Sequence, residues 1–209
     1  ESRKRGWTDA AFVRYYVRRY GYLVDAFQFL NEPDAYLLPE QSPSSLKMKP
    51  ERVNRFLHNG VAPIRDLRDS AFETSPLLIG PGLVSGQPSY AGAIDWSAVD
   101  AIAIHPYAKD SETLDELLDS YAAVTNLPIW ITEFGWDSPD QHERAVWLSH
   151  MMIAIEEWSA LDDGRGIPVA IHFCFHDYAG FGLLKEGAAT ESYSAFFRCS
   201  ESFAAFIRS

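Results

Sequence analysis

The chain has 209 residues, enough for one domain with a substantial core and short for two. Its hydrophobic share of 47% and charged share of 22% are those of an ordinary globular protein, and no apolar run approaches the ~20 residues that cross a bilayer, which argues against a membrane partner. A net charge of −11 repels polyanions and argues against nucleic acid; the basic positions Arg3, Lys4, Arg5, Arg14, Arg18 and Arg19 read as a solvated helix face.

Thr8 or Asp9 caps a first helix that stops before Gly21. Tyr22 to Leu30, rich in aromatic and branched residues, reads as a strand ending at Asn31-Glu32-Pro33. A polar loop from Asp34 to Lys49 leads to Pro50, which suits the first turn of a helix running to about Ser70. Pro76 to Ile79 is a short strand closed by Gly80-Pro81-Gly82. After a brief helical turn, Asp100 to His105 is the third strand, and Ser111 caps a helix with Leu114, Leu117, Leu118 and Tyr121 at helical spacing. Pro128 to Thr132 is the fourth strand, and a helix follows from about Gln141 to Leu161. Ile167 to Phe175 is the fifth strand, and Ser192 to Arg208 the last helix.

Near-continuously apolar strands alternating with helices indicate an α/β fold with a parallel sheet. Polar residues collect just after strand ends: Asn31 and Glu32, His105 and Tyr107, Glu133, and His176 and Asp177. In a barrel of βα units that rim is where active sites are built. Two carboxylates there, about 5–5.5 Å apart, suit glycosidic bond cleavage with retention: one attacks the sugar while the other protonates the departing oxygen. The negative charge of one keeps its partner protonated until the first is glycosylated. An exposed loop acid is the commonest fate of a glutamate; two at matching strand ends favour the paired reading. No metal or organic cofactor is needed for this chemistry. Cys174 and Cys199 fit no metal spacing and could form one pair.

Four stretches carry a family resemblance. Phe27-Gln28-Phe29-Leu30-Asn31-Glu32-Pro33 resembles the strand-four motif of glycoside hydrolase clan A, where Asn-Glu-Pro carries the acid/base. Pro128-Ile129-Trp130-Ile131-Thr132-Glu133-Phe134-Gly135-Trp136 is similar to the strand-seven motif that carries the nucleophile. Ala101 to Tyr107 resembles strand six, and Phe181 to Leu184 with Tyr193 to Phe196 resembles the strand-eight exit and last helix of family 39 and family 5 enzymes. The resemblance implies that Glu32 is the acid/base and Glu133 the nucleophile. Asn31 would bond the sugar 2-hydroxyl, or else serve an Asx-turn before Pro33. Tyr107 would orient Glu133, or pack at the rim; His105 would bind a hydroxyl or carboxylate, or serve structure. Trp136 would be a stacking platform, or core. His172, His176 and Asp177 stand where the family offers a Trp and polar sugar contacts.

Only 31 residues precede Glu32, so barrel strands one to three, and the Arg that strand two supplies, are absent from this sequence. The expectation is an incomplete TIM-type (β/α) barrel of about five parallel strands, a single truncated glycosidase domain over residues 1–209. Its substrate would be an oligosaccharide, polysaccharide or aryl glycoside with a β-linkage. The alternatives are a carbohydrate-binding or purely structural remnant. The strands at the two open edges, Tyr22–Leu30 and Ile167–Phe175, need cover for their peptide groups. A homodimer is therefore expected: light scattering at micromolar concentration should give twice the 23.5 kDa chain mass, and a clean monomer defeats that expectation.

Overall fold

The computed structural model describes residues 8–35, 47–65, 76–84, 86–160, 166–176 and 180–207. The chain divides into two compact units, Glu1–Ile104 with Val124–Leu127, and His105–Ala123 with Pro128–Ser209. Its five parallel strands interleaved with helices make it an α/β protein of the incomplete TIM-type barrel class, as the alternation of apolar strands and helices predicts.

In the first unit, helix α1 (Asp9–Tyr20) is capped by the Thr8 side chain, which accepts from the Ala11 N–H, and it ends at Gly21. Its buried stripe, Val13 and Val17, faces a π-helical segment, Leu57–Val61, that continues helix α2 (Pro50–Phe56). A Cβ at Gly60 would come within 3.2 Å of the Asp9 Cβ, so the close crossing there depends on glycine. The expected helix to Ser70 is helical through residue 65; residues 66–70 lie outside the described chain.

Strand β1 (Ala26–Gln28) is far shorter than Tyr22–Leu30, because Tyr22 and Leu23 belong to the turn leaving α1, where the Leu23 N–H bonds the Tyr20 carbonyl. Strand β2 (Leu77–Leu83) is longer than expected and runs straight through Gly80-Pro81-Gly82. It pairs in parallel with β1 on one side and with β3 (Ala101–Ile104) on the other, and its register with β3 shifts between Ile79 and Gly82. A proline lacks the N–H a ladder requires and is tolerated where the register is broken. The glycines therefore shape this strand instead of closing it. Short helix α3 (Pro88–Gly92) and a 3₁₀ turn, Trp96–Ala98, connect β2 to β3.

In the second unit, helix α4 (Ser111–Ala122) is capped one residue earlier than expected. Asp110 accepts from the Thr113 N–H and hydroxyl, and these bonds hold its carboxyl below the usual carboxylate range. Strand β4 (Ile129–Phe134) pairs in parallel with β5 (Ala170–His172), which is three residues long where nine were expected. Helix α5 (Gln141–Ser159), capped by Asp140, packs along helix α6 (Glu191–Ile207). The buried Arg144 guanidinium links the two, donating to the Ser192 hydroxyl at 3.0 Å and the Gly182 carbonyl at 2.8 Å. A small antiparallel hairpin, β6 (Leu184–Lys185) with β7 (Ala188–Ala189), turns through Glu186 and Gly187, both at positive φ. No described helix is long and apolar enough to cross a membrane.

The first unit's packing yields one stability prediction. A Cβ at Gly80 would sit 2.8 Å from Cζ3 of Trp96, a buried ring held in place by its indole bond to the Ala91 carbonyl. Neither ring nor strand can yield, so Gly80→Ala should cost about 1–3 kcal/mol in urea unfolding, as overpacking does elsewhere.

Candidate active site

Beyond β1 the chain leaves the regular strand but keeps bonding β2. The Leu30 carbonyl accepts from the Gly82 N–H at 3.1 Å, and the Glu32 N–H donates back to the Gly82 carbonyl at 2.9 Å. Between them Asn31 forms an isolated bridge with Gly82 and exposes its side chain. Two non-glycine residues here have left-handed backbones, Leu30 at φ 67° and Glu32 at φ 44°. Each such residue costs of order 1–3 kcal/mol and persists only where neighbours hold it. The neighbours are identifiable. Asp34, 1% exposed, accepts from the Val84 N–H at 3.1 Å, and the Pro33 carbonyl accepts from the Met48 N–H at 2.7 Å. Glu32 is half-buried at the tip of this anchored turn.

The second unit holds Glu133 near the end of β4. The Tyr107 hydroxyl donates to Glu133 Oε2 at 2.8 Å, and His105 Nδ1 stands 3.7 Å from the same oxygen. His105 is 1% exposed, and its Nε2 lies 3.1 Å from the Thr132 hydroxyl, which fixes the ring plane. One carboxylate oxygen is thus occupied by a phenol. The Tyr107 ring stands edge-on to Phe181 at 5.8 Å and to Phe173 at 6.4 Å, and those two rings meet at 5.7 Å. Phe173 was not singled out from the sequence, and Phe181 entered only as the first residue of the stretch that resembles the strand-eight exit. The missed signal was Gly135: a Cβ there would lie 2.5 Å from the Phe173 carbonyl and 2.9 Å from the Phe181 ring. Only a glycine after Phe134 lets the β5 exit come this close to the end of β4.

These observations meet an independent one. Residues 24–162 match the model of the glycosyl hydrolase catalytic core, about two thirds of the sequence and both glutamates. The chain belongs to that glycosyl hydrolase family. A search of curated protein sequences gave no match for this hydrolase core. Among solved structures, it is similar to a family 128 endo-β-1,3-glucanase from Amycolatopsis mediterranei in complex with laminaritriose, at 17% identity and TM-score 0.63, over 92% of this chain and 80% of that one. It is also similar to a family 39 β-xylosidase from Caulobacter crescentus, at 18% identity and TM-score 0.62, over 92% of this chain and 46% of that one. A family 128 oligosaccharide-binding protein from Cryptococcus neoformans matches at 16% identity and TM-score 0.59, over 85% and 69%. At these identities the likeness is one of fold, and it is a clan A-like fold.

The remaining expected site residues of this hydrolase core are scattered. Trp136 is half-buried against Trp147, with ring centroids 6.0 Å apart. His176 is exposed beside Phe175, and Asp177 lies outside the described residues. Cys174 and Cys199 are both free thiols. His172 is buried between Phe134 and Phe196, and neither ring nitrogen has a hydrogen-bond partner among the described residues.

Burial, reinforced by the nearby Arg144 charge, pushes the His172 ring down to about 4. A histidine kept neutral in the folded state but titrating near 6.5 when unfolded lets the unfolded chain bind the extra proton. Its contribution is complete above about pH 6.5 and is lost as pH falls towards 4, up to about 3 kcal/mol. Urea unfolding between pH 7 and pH 4 should therefore show a steeper loss for the wild type than for His172→Phe.

Proposed function

We propose that this chain is a retaining glycoside hydrolase that cleaves β-glycosidic bonds by double displacement, with Glu133 as nucleophile and Glu32 as acid/base. The observation that carries the reading is the 2.8 Å bond from the Tyr107 hydroxyl to Glu133 Oε2, within the stretch that matches the family. A phenol on one oxygen leaves the other to attack the anomeric carbon, and it holds the carboxylate plane still while the bond forms. The glycosidic C–O bond breaks as Glu32 gives its proton to the departing oxygen. Water then attacks the glycosyl-enzyme, Glu32 takes the water's proton, and Glu133 leaves as the free carboxylate. The reading requires the two carboxyl groups to work about 5–5.5 Å apart, with the two compact units acting as one catalytic domain. Asn31 and His176 would bind sugar hydroxyls, and the buried His105 would orient the Glu133 carboxylate. β-Glucans and β-xylans are the first substrate classes to test, because the similar structures include an endo-β-1,3-glucanase and a β-xylosidase.

A second reading, oligosaccharide binding without turnover, draws on the likeness to the Cryptococcus neoformans binding protein. Hydrolysis of a panel of aryl β-glycosides separates the two. Under the hydrolase reading, Glu133→Ala abolishes turnover and azide restores no retained product. Glu32→Ala still glycosylates Glu133 from an activated aryl glycoside, and azide then releases a glycosyl azide of retained configuration. Tyr107→Phe removes a hydrogen bond to a charged group, worth about 1.5–3 kcal/mol, and should lower kcat roughly 10- to 100-fold. Opposite azide behaviour in the two glutamate variants reverses their roles, and a wild type inert on every glycoside tried leaves the binding reading.

A further inference from the structure

The second unit contains a groove of about 530 Å³ on its helical side, and none of the residues just assigned to catalysis lines it. One wall is a face of α5, where His142, Val146 and His150 recur every four residues. The other is the turn at Lys109 and Asp110 that opens α4, and Trp136 and Trp147 also line it. We propose that this groove is a second sugar site, which holds a neutral β-linked oligosaccharide beyond the bond being cleaved; the proposal rests on the glycosidase reading above.

Three features select that ligand. The Trp147 indole N–H is engaged by the Ala108 carbonyl at 3.2 Å, whereas the Trp136 indole N–H has no acceptor among the described residues. The groove thus offers an indole ring together with an unused donor, the pairing that a pyranose with an apolar face and a rim of hydroxyls requires. His150 likewise makes no hydrogen bond among the described residues. Charges of both signs border the groove, Lys109 against Asp110 and Glu143, so neither an anion nor a cation is favoured over a neutral polar chain. The groove is also within reach. Trp136 follows Glu133 by three residues, so their backbones are at most ~11 Å apart, and a chain bound at Glu133 can extend into the groove while a single glycoside cannot.

The test uses the full chain labelled with ¹⁵N at its indoles, with Trp136→Phe to assign the Trp136 signal. Laminarihexaose and cellohexaose are the probes, and 4-nitrophenyl β-glucoside is the short control. A hexasaccharide should shift the Trp136 indole signal, and the short glycoside should not. Val146→Asp should weaken hexasaccharide affinity at least about tenfold. Val146 is 42% exposed, so this variant should keep its circular dichroism. Hexasaccharide binding that leaves the Trp136 signal unmoved, equal affinity in folded Val146→Asp, or no hexasaccharide binding overturns the proposal. If aryl glycosides are still hydrolysed in that event, only the groove assignment fails; if they are neither bound nor hydrolysed, the glycosidase reading fails with it.

Discussion

A parallel strand buried on both faces can carry hydrogen-bonding side chains only where its ladder ends, because an unpaired polar group inside costs several kcal/mol. β3 obeys this strictly. Ala101 to Ile104 are all buried and apolar, and the very next residue is His105. In β4, Thr132 and Glu133 fall where the register with β5 shifts between Ile131 and Phe134, and β1 continues into Asn31 and Glu32. Polar side chains are therefore gathered at strand ends and register breaks, where the ladder leaves room for them.

The two glutamates are held there by different means. Glu133 is positioned through its side chain, by a phenol on one carboxylate oxygen and a buried imidazole close by. Glu32 is positioned through its backbone. Its left-handed conformation is locked by the Gly82 carbonyl, the Asp34 anchor and the Pro33 contact with Met48. A side chain held by side chains keeps a fixed orientation, as the nucleophile of the proposed mechanism needs. A side chain carried on a strained but anchored turn keeps its origin fixed, which suits the proposed acid/base, a group that would first donate and then accept a proton at one place.

The second unit shows what such a site demands of its surroundings. Gly135 lets the β5 exit close against β4 and bring Phe173 and Phe181 to Tyr107. On the opposite flank of β5, His172 lies in an aromatic pocket with its ring nitrogens unused, and Arg144 ties α5 to the start of α6. Neighbouring residues thus serve different purposes: His172, the last residue of β5, packs against Phe134 and Phe196, and Phe173, just past the strand, packs against Tyr107.

Sequence alone determined the class of fold, the order of its elements and the position of both glutamates, because these depend on short-range patterns: apolar strands, helix caps, and polar residues following strand ends. The first helix was legible to within one residue, since either Thr8 or Asp9 could cap its start and its end at Gly21 follows from local chemistry. Strand lengths were not. β2 runs through Gly80-Pro81-Gly82 because its partners bond it on both sides of a register shift, while β5 retains three of nine expected residues. Ladder length is set by the neighbour and not by propensity. Which aromatic rings meet Tyr107, and which histidine is buried, were likewise decided by tertiary packing. Phe173 and His172 are adjacent in sequence and carry no mark that tells their faces apart, and only the register against β4 assigns one to the site and the other to the core.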